Sequence, residues 1–345
     1  MFKKFVVAAG AAAVLIGAAQ AENFTGAGAT FPAPVYSAWA QSYRTASGNE
    51  LNYQAIGSGG GIRQIKAKTV DFGATDKPLK PSELAEAGLM QFPTVIGGVV
   101  PIINVPGVNP GRLRLTGALL GEIYMGRITR WNDPQIAKVN PQIKMPALPI
   151  TVVHRSDGSG TSFIFTSYLS MKNAGWAKDV GASDSVSWPV GLGGKGNDGV
   201  AAFVKQTKGS IGYVEYAFAK KNATPHILVQ NKAGNFPQPS AAAFGAAAAS
   251  APWGTAPGNY VMLLDQPAAN AWPISGATFI LMYKNPADPA RAANVLKFFD
   301  WAYKNGDKAA ASLDYVPLPA AVKNTMRKQW AAQITTGGKP VYVSK

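Results

Sequence analysis

The sequence predicts an α/β protein of two lobes, and three observations lead there. Short apolar runs alternate with helical patterns, as where VDFGA at 70–74 is followed by a helical segment at 81–87, which argues for mainly parallel sheets with helical crossovers. The chain has 345 residues, enough for two lobes on the loose scale of roughly 100 to 200 residues per domain. Two strand-like runs, VIGGVVPIIN at 95–104 and WPISGATFILMY at 272–283, stand far apart in sequence. They are either ordinary core strands or the strands that carry the chain out of one lobe and back.

From the N-terminus, Lys3 and Lys4 precede an apolar stretch over 5–19, and Ala19-Gln20-Ala21 fits a small-residue cleavage site. Residues 1–21 therefore read as a secretory signal peptide, with the mature chain starting at Glu22. Later in the chain there is no uninterrupted apolar run of about 18 residues that would span a bilayer. With no cysteine there is no lipid-attachment residue, disulfide or thiolate metal site, and the expected destination is the periplasm.

Gly28-Ala29-Thr30-Phe31-Pro32 opens a helical pattern carried by Val35, Trp39 and Tyr43, so Thr30 reads as a helix cap or a ligand group. Ser58, ahead of Gly59-Gly60-Gly61, again enters a helix. Asp76 lies just past the strand-like run at 70–74, as a turn residue, a cap or a site carboxylate. The segment at 81–87 has Pro81 at its start and Gly88 past its end.

The most informative segment is HRSDGSGTSFIF at 154–165, which sets a guanidinium and small hydroxyls at a helix start. Unpaired N–H groups of a first helical turn and the helix dipole favour an anion there, and glycines permit close approach. Arg155 offers two parallel charged hydrogen bonds to an oxyanion, and Asp157 either steadies that guanidinium or caps a helix. Three such helix starts in one chain, around Thr30, Ser58 and Ser159-Gly160-Thr161, suggest a tetrahedral oxyanion held largely by dipoles.

Gly191-Leu192-Gly193-Gly194-Lys195-Gly196 matches the dinucleotide pattern G-x-G-x-x-G, with Glu215 about 20 residues on. Pro189 spoils the strand that should precede it. The Ala-rich stretch 240–251 reads as a surface helix or loop, and helices follow at 294–303 and 320–334. Phe298, Phe299, Trp301 and Tyr303 read as packing residues.

The net charge of +15 comes from scattered lysines and arginines and does not by itself identify a ligand. Catalysis has little to draw on. There are two histidines, His154 and His226, and no G-x-S-x-G elbow, H-E-x-x-H, cysteine pair or EF-hand loop, so no catalytic residue, metal or cofactor is expected.

Taken together, TGAGATFPAPVY at 25–36, NYQAIGSGGG at 52–61, QFPTVIGGVV at 91–100, DGSGTSFIFTSYL at 157–169, GLGGKGNDG at 191–199, GSIGYVEY at 209–216 and LKFFDWAYK at 296–304 resemble the periplasmic phosphate-binding proteins of phosphate-specific ABC transporters, the PstS family. The resemblance covers essentially the whole mature chain. It implies a type II periplasmic-binding-protein fold, two α/β lobes joined by a two-strand hinge, with lobe I at 22–97 plus 274–345 and lobe II at 98–273. It also implies phosphate ligands at Thr30, Phe31 (through its N–H), Ser58, Asp76, Arg155, Ser159, Gly160 and Thr161, with Asp157 supporting Arg155. The function implied is a monomer that captures inorganic phosphate and hands it to inner-membrane permease subunits served by a separate ATPase subunit, with no nucleic acid and no catalysis. The chain departs from the family pattern at Gly59 and Thr75, where serines are expected, and at His154, where an arginine is expected.

Overall fold

A computed structural model describes residues 23–344, and the expected signal segment 1–21 lies outside the described residues. The strands are β1 (Asn23–Gly28), β2 (Glu50–Ala55), β3 (Phe72–Thr75), β4 (Leu89–Ile103), β5 (Arg114–Leu115), β6 (Thr151–Arg155), β7 (Leu192–Gly194), β8 (Ser210–Glu215), β9 (Leu228–Val229), β10 (Leu263–Leu264), β11 (Ile274–Tyr283) and β12 (Val316–Pro317), followed by a terminal ribbon. They build one sheet in the order β2-β1-β3-β11-β4-β8-β6-β7, with β10 on β11 and β12 on β4; β5 and β9 pair separately.

The sheet falls into two halves that share β4. Its N-terminal part, Leu89 to Gly98, pairs antiparallel with β11, and Val99 to Ile103 pairs antiparallel with β8. Outside these central strands the pairs are parallel: β1 with β2 and β3, and β6 with β7 and β8. All fifteen residues of β4 are buried, as a strand covered on both faces requires. The run expected at 95–104 thus belongs to a longer strand that begins at Leu89 and carries the chain from one half to the other.

Pro93 sits inside β4 because the ladder breaks there. The register against β11 steps from Thr278↔Val95 to Phe279↔Pro93, which leaves Thr94 as an extra residue in a bulge, a position that tolerates a missing N–H. Thr94 turns its hydroxyl to Tyr36 at 2.6 Å.

The helices expected at 81–87, 294–303 and 320–334 are present as Pro81–Ala87, Pro289–Asn305 and Ala320–Gln333. Phe298, Phe299 and Tyr303 are buried and Trp301 is partly buried, as packing residues should be. The Ala-rich stretch differs from expectation. Its helix Ala241–Ala248 buries Ala243, Phe244, Ala247 and Ala248, because the Phe244 ring occupies the space that a Cβ on Gly98 would take. Small side chains let this helix sit close on β4, so its low complexity serves packing rather than exposure.

Candidate functional site

The site lies where the glycine-rich helix starts of the two halves meet. From the first half come Thr30 and Phe31 after β1, Ser58 at the head of helix Ser58–Lys66, and Asp76 after β3. The second half supplies Arg155 at the end of β6, Ser159 capping helix Gly160–Lys172, and Gly160 and Thr161 in its first turn. Every one of these residues is buried, with Arg155 at 3% and Asp76 at 2% exposure.

Arg155 is held by a fork. Its Nε donates to Asp157 Oδ1 at 2.7 Å and its Nη2 donates to Oδ2, while Nη1 lies 3.4 Å from Thr161 Oγ1. Asp157 Oδ1 also accepts the Gly196 N–H at 3.0 Å, at the head of helix Gly196–Gln206. Burial acts to raise the Asp157 pKa, but the Arg155 hydrogen bonds and charge, with the Gly196 N–H, hold the carboxyl below its ordinary range.

Asp76 is the opposite case. Burial pushes its carboxyl up to about 7, against the Thr278 hydrogen bond, the Arg155 charge and Ser58. Thr278 donates to Oδ1 at 2.7 Å, and the Asp76 N–H donates to Ser58 Oγ at 3.2 Å. Oδ2 is buried without a hydrogen-bond partner among the described residues.

The hydroxyls divide between capping and bridging. Ser159 Oγ accepts the Ser162 N–H at 3.0 Å and is a true cap. Thr30 is not a cap: the helix it was expected to start is capped at Pro32, and Thr30 Oγ1 instead accepts from Asn197 Nδ2 at 3.0 Å. Ser58 is likewise already inside its helix, behind Gly57. Phe31 is fully buried, and its carbonyl lies 2.6 Å from the Tyr315 hydroxyl.

Direct contacts join the two halves around these groups. The Gly59 N–H donates to Gly158 O at 2.9 Å, and Lys77 Nζ donates to Asp184 Oδ1 at 2.7 Å. The departure at Gly59 is explained by this closeness, because a Cβ there would come within 3.1 Å of Gly158 Cα. A Cβ on Gly160 would lie 2.5 Å from Ser58 Oγ and 2.7 Å from the Asp76 backbone nitrogen. Replacing Gly160 with Ala is therefore expected to leave each half folded but wedge them apart. Ligand affinity should fall at least tenfold, which calorimetry would measure, and small-angle scattering should show a larger radius of gyration.

His154, where the family pattern has an arginine, points away from this cluster. Its ring stacks on Trp188 at 4.7 Å, its Nδ1 lies 3.0 Å from Arg155 O, and burial lowers its pKa.

Several neighbours escaped sequence reasoning. Asn197 reaches Thr30 and stands 3.5 Å from Thr161 Oγ1, Thr278 holds Asp76, and the Tyr213 hydroxyl accepts the Arg155 N–H at 3.2 Å. The G-x-G-x-x-G match was the available signal for Asn197, since its last glycine begins the helix that presents Asn197. The dinucleotide reading of that match fails on two counts. Residues 182–190 form no strand, and Glu215 is buried against Tyr315 rather than turned to a ribose site.

Among the described residues no group of three or more His, Cys, Asp or Glu side chains could hold a metal ion, and no helix is long and apolar enough to cross a membrane.

A family model described as a PBP superfamily domain matches residues 13–305. The phosphate-binding protein PstS of Haemophilus influenzae is 52% identical over 316 residues, which cover 92% of this chain and 95% of that one. Two solved structures share the fold. A high affinity periplasmic phosphate-binding protein (PfluDING) bound with phosphate superposes with a TM-score of 0.73 at 23% identity, covering 92% of this chain and 96% of its own. An ABC-type phosphate transport receptor from Vibrio cholerae gives 0.55 at 21% identity, covering 86% and 100%. With a family model across most of its length and a relative at this identity, the chain belongs to the phosphate-binding protein PstS family of the PBP superfamily.

Proposed function

We propose that this chain is the phosphate receptor of an ABC importer: it captures inorganic phosphate in the periplasm and delivers it to inner-membrane permease subunits energised by a separate ATPase subunit. The observation that carries the reading is the burial, between two halves of one sheet, of Arg155, three helix starts and a carboxyl oxygen with no partner among the described residues. Such a cluster suits a tetrahedral oxyanion that brings one hydrogen. The identity with a protein named for phosphate binding supports the same ligand.

In this reading Thr30, Ser58, Ser159 and Thr161 hydroxyls, the N–H groups of Phe31 and Gly160, and the Arg155 guanidinium donate to phosphate oxygens, while Asp76 accepts from the P–O–H group. Asp157 holds Arg155. The lobes are 22–97 plus 274–345 and 98–273, and they close on the ion by rotation about the shared strand β4 and its partner β11. The continuity of β4 through both half-sheets supports that division. The protein acts as an exported monomer, makes and breaks no bond, and takes no nucleic acid.

Calorimetric titration of the ligand-stripped mature chain tests this. One phosphate is expected per chain, with affinity changing little between low and high salt because the ion is out of water. Surface or nucleic-acid-like binding would instead weaken steeply with salt. Turnover of a chromogenic phosphomonoester would replace the receptor reading with a phosphatase.

A further inference from the structure

Beside the proposed site lies a buried carboxyl that the binding chemistry does not use. Glu215 ends β8 and sits on the second half of the sheet, fully buried. Its Oε2 lies 2.8 Å from the Tyr315 hydroxyl oxygen, and that same oxygen lies 2.6 Å from the Phe31 carbonyl. Tyr315 is also fully buried and immediately precedes β12, which pairs with β4 at Val95 and Ile96, beside the point where β4 changes partner. The chain of oxygens therefore runs from one half of the sheet to the other.

Counting protons decides its state. Two oxygens at 2.6 Å without a hydrogen between them would be held well inside van der Waals contact, so the Tyr315 proton belongs to the Phe31 carbonyl. A phenol has one proton. The 2.8 Å contact to Glu215 then needs a second hydrogen, and the carboxyl is its source. The Ala217 N–H donates to Oε2 at 2.9 Å, which a carboxyl oxygen still accepts through a lone pair.

We propose that Glu215 is protonated in the folded protein and acts as a positioning residue, donating to Tyr315 so that Tyr315 in turn fixes Phe31, the residue whose N–H faces the ligand. The inference rests on the phosphate-receptor reading for the role of Phe31, but not for the proton on Glu215. Burial, the largest influence, drives this carboxyl upward against its contact with Tyr315 and the N–H groups of Ala217 and Tyr216, and the titratable groups facing it add no cation: they are Tyr315 and Asp76, with Tyr216 next in the chain. Gly97 leaves room for the arrangement, since a Cβ there would reach the Phe31 ring at 3.0 Å and Glu215 Oε1 at 3.4 Å.

The test combines a spectrum with titrations. Infrared difference spectra of wild type against Glu215→Gln at pH 7, without phosphate, should show the C=O stretch of a protonated carboxyl that the variant lacks. Carboxylate bands alone would overturn the proposal. In phosphate titrations Glu215→Ala and Tyr315→Phe should each lose about tenfold. A Glu215→Ala variant of unchanged affinity would mean that Tyr315 needs no hydrogen from Glu215, and a Tyr315→Phe variant of unchanged affinity would mean that Phe31 is fixed without it; either result overturns the proposal. The spectrum reads Glu215 whether or not phosphate binds, so failure of the receptor reading and failure of this one are told apart.

Discussion

Asp76→Asn is expected to erase the preference for phosphate over sulfate. Near neutral pH phosphate carries a hydrogen on one oxygen and sulfate carries none. Asp76 Oδ1 is taken by the Thr278 hydroxyl, so the buried Oδ2 is the atom left to accept that hydrogen. Against sulfate it presents a lone pair to a lone pair. Sites built on a required hydrogen bond reject analogues lacking it by roughly 10⁴- to 10⁵-fold, and an amide, which can donate to a bare oxyanion, should bring the two affinities close together. Competitive calorimetry with both anions measures the ratio, and an unchanged ratio removes Asp76 from the selectivity mechanism.

The same carboxyl gives a pH signature without ligand. Its folded pKa of about 7 lies above the ordinary 3.8, so the folded state keeps a proton that the unfolded chain releases. Its contribution to stability is complete below the unfolded value and is lost as pH rises through about 7. The melting temperature of Asp76→Asn relative to wild type should therefore climb from about pH 4 to about pH 7 and level off above. Parallel curves would show that Asp76 is not held in this way.

Arg155→Lys is the second large effect. The guanidinium binds Asp157 through Nε and Nη2, which leaves Nη1 facing Thr161, a division of labour that an ammonium cannot reproduce. Loss of a buried, hydrogen-bonded charge partner commonly costs about 2 to 5 kcal/mol of binding, so phosphate affinity should fall roughly 10²- to 10³-fold. Arg155→Ala should in addition lower stability, because Asp157 would keep the Gly196 N–H but no cation. Calorimetry and thermal melts separate the two losses, and full affinity in the lysine variant would place the anion elsewhere.

Much of this site was legible because its signals are local. Ser159-Gly160-Thr161 announces a cap and an exposed first turn, and Arg155 and Asp157 are two residues apart, near enough to be read as a pair. The residues that were missed act over distance. Asn197 meets Thr30 across 167 residues, Thr278 meets Asp76 across 202, and Lys77 meets Asp184 across 107. No propensity or spacing rule reports such partners, and a capping threonine and a bridging one, as Thr30 is, look alike in sequence. The fold was legible through its alternating elements, whereas the bulge at Thr94 and the burial of the helix Ala241–Ala248 depend on what packs opposite, Phe279 in one case and Gly98 in the other.

The most direct test is a crystal structure of the mature chain grown with orthophosphate. The expected result places the ion between the two halves, with oxygens within hydrogen-bond reach of Arg155, Ser58, Ser159 and Thr161 and one oxygen against Asp76 Oδ2. A phosphate bound elsewhere, or an Asp76 carboxyl turned to bulk water while phosphate is bound, would contradict the account.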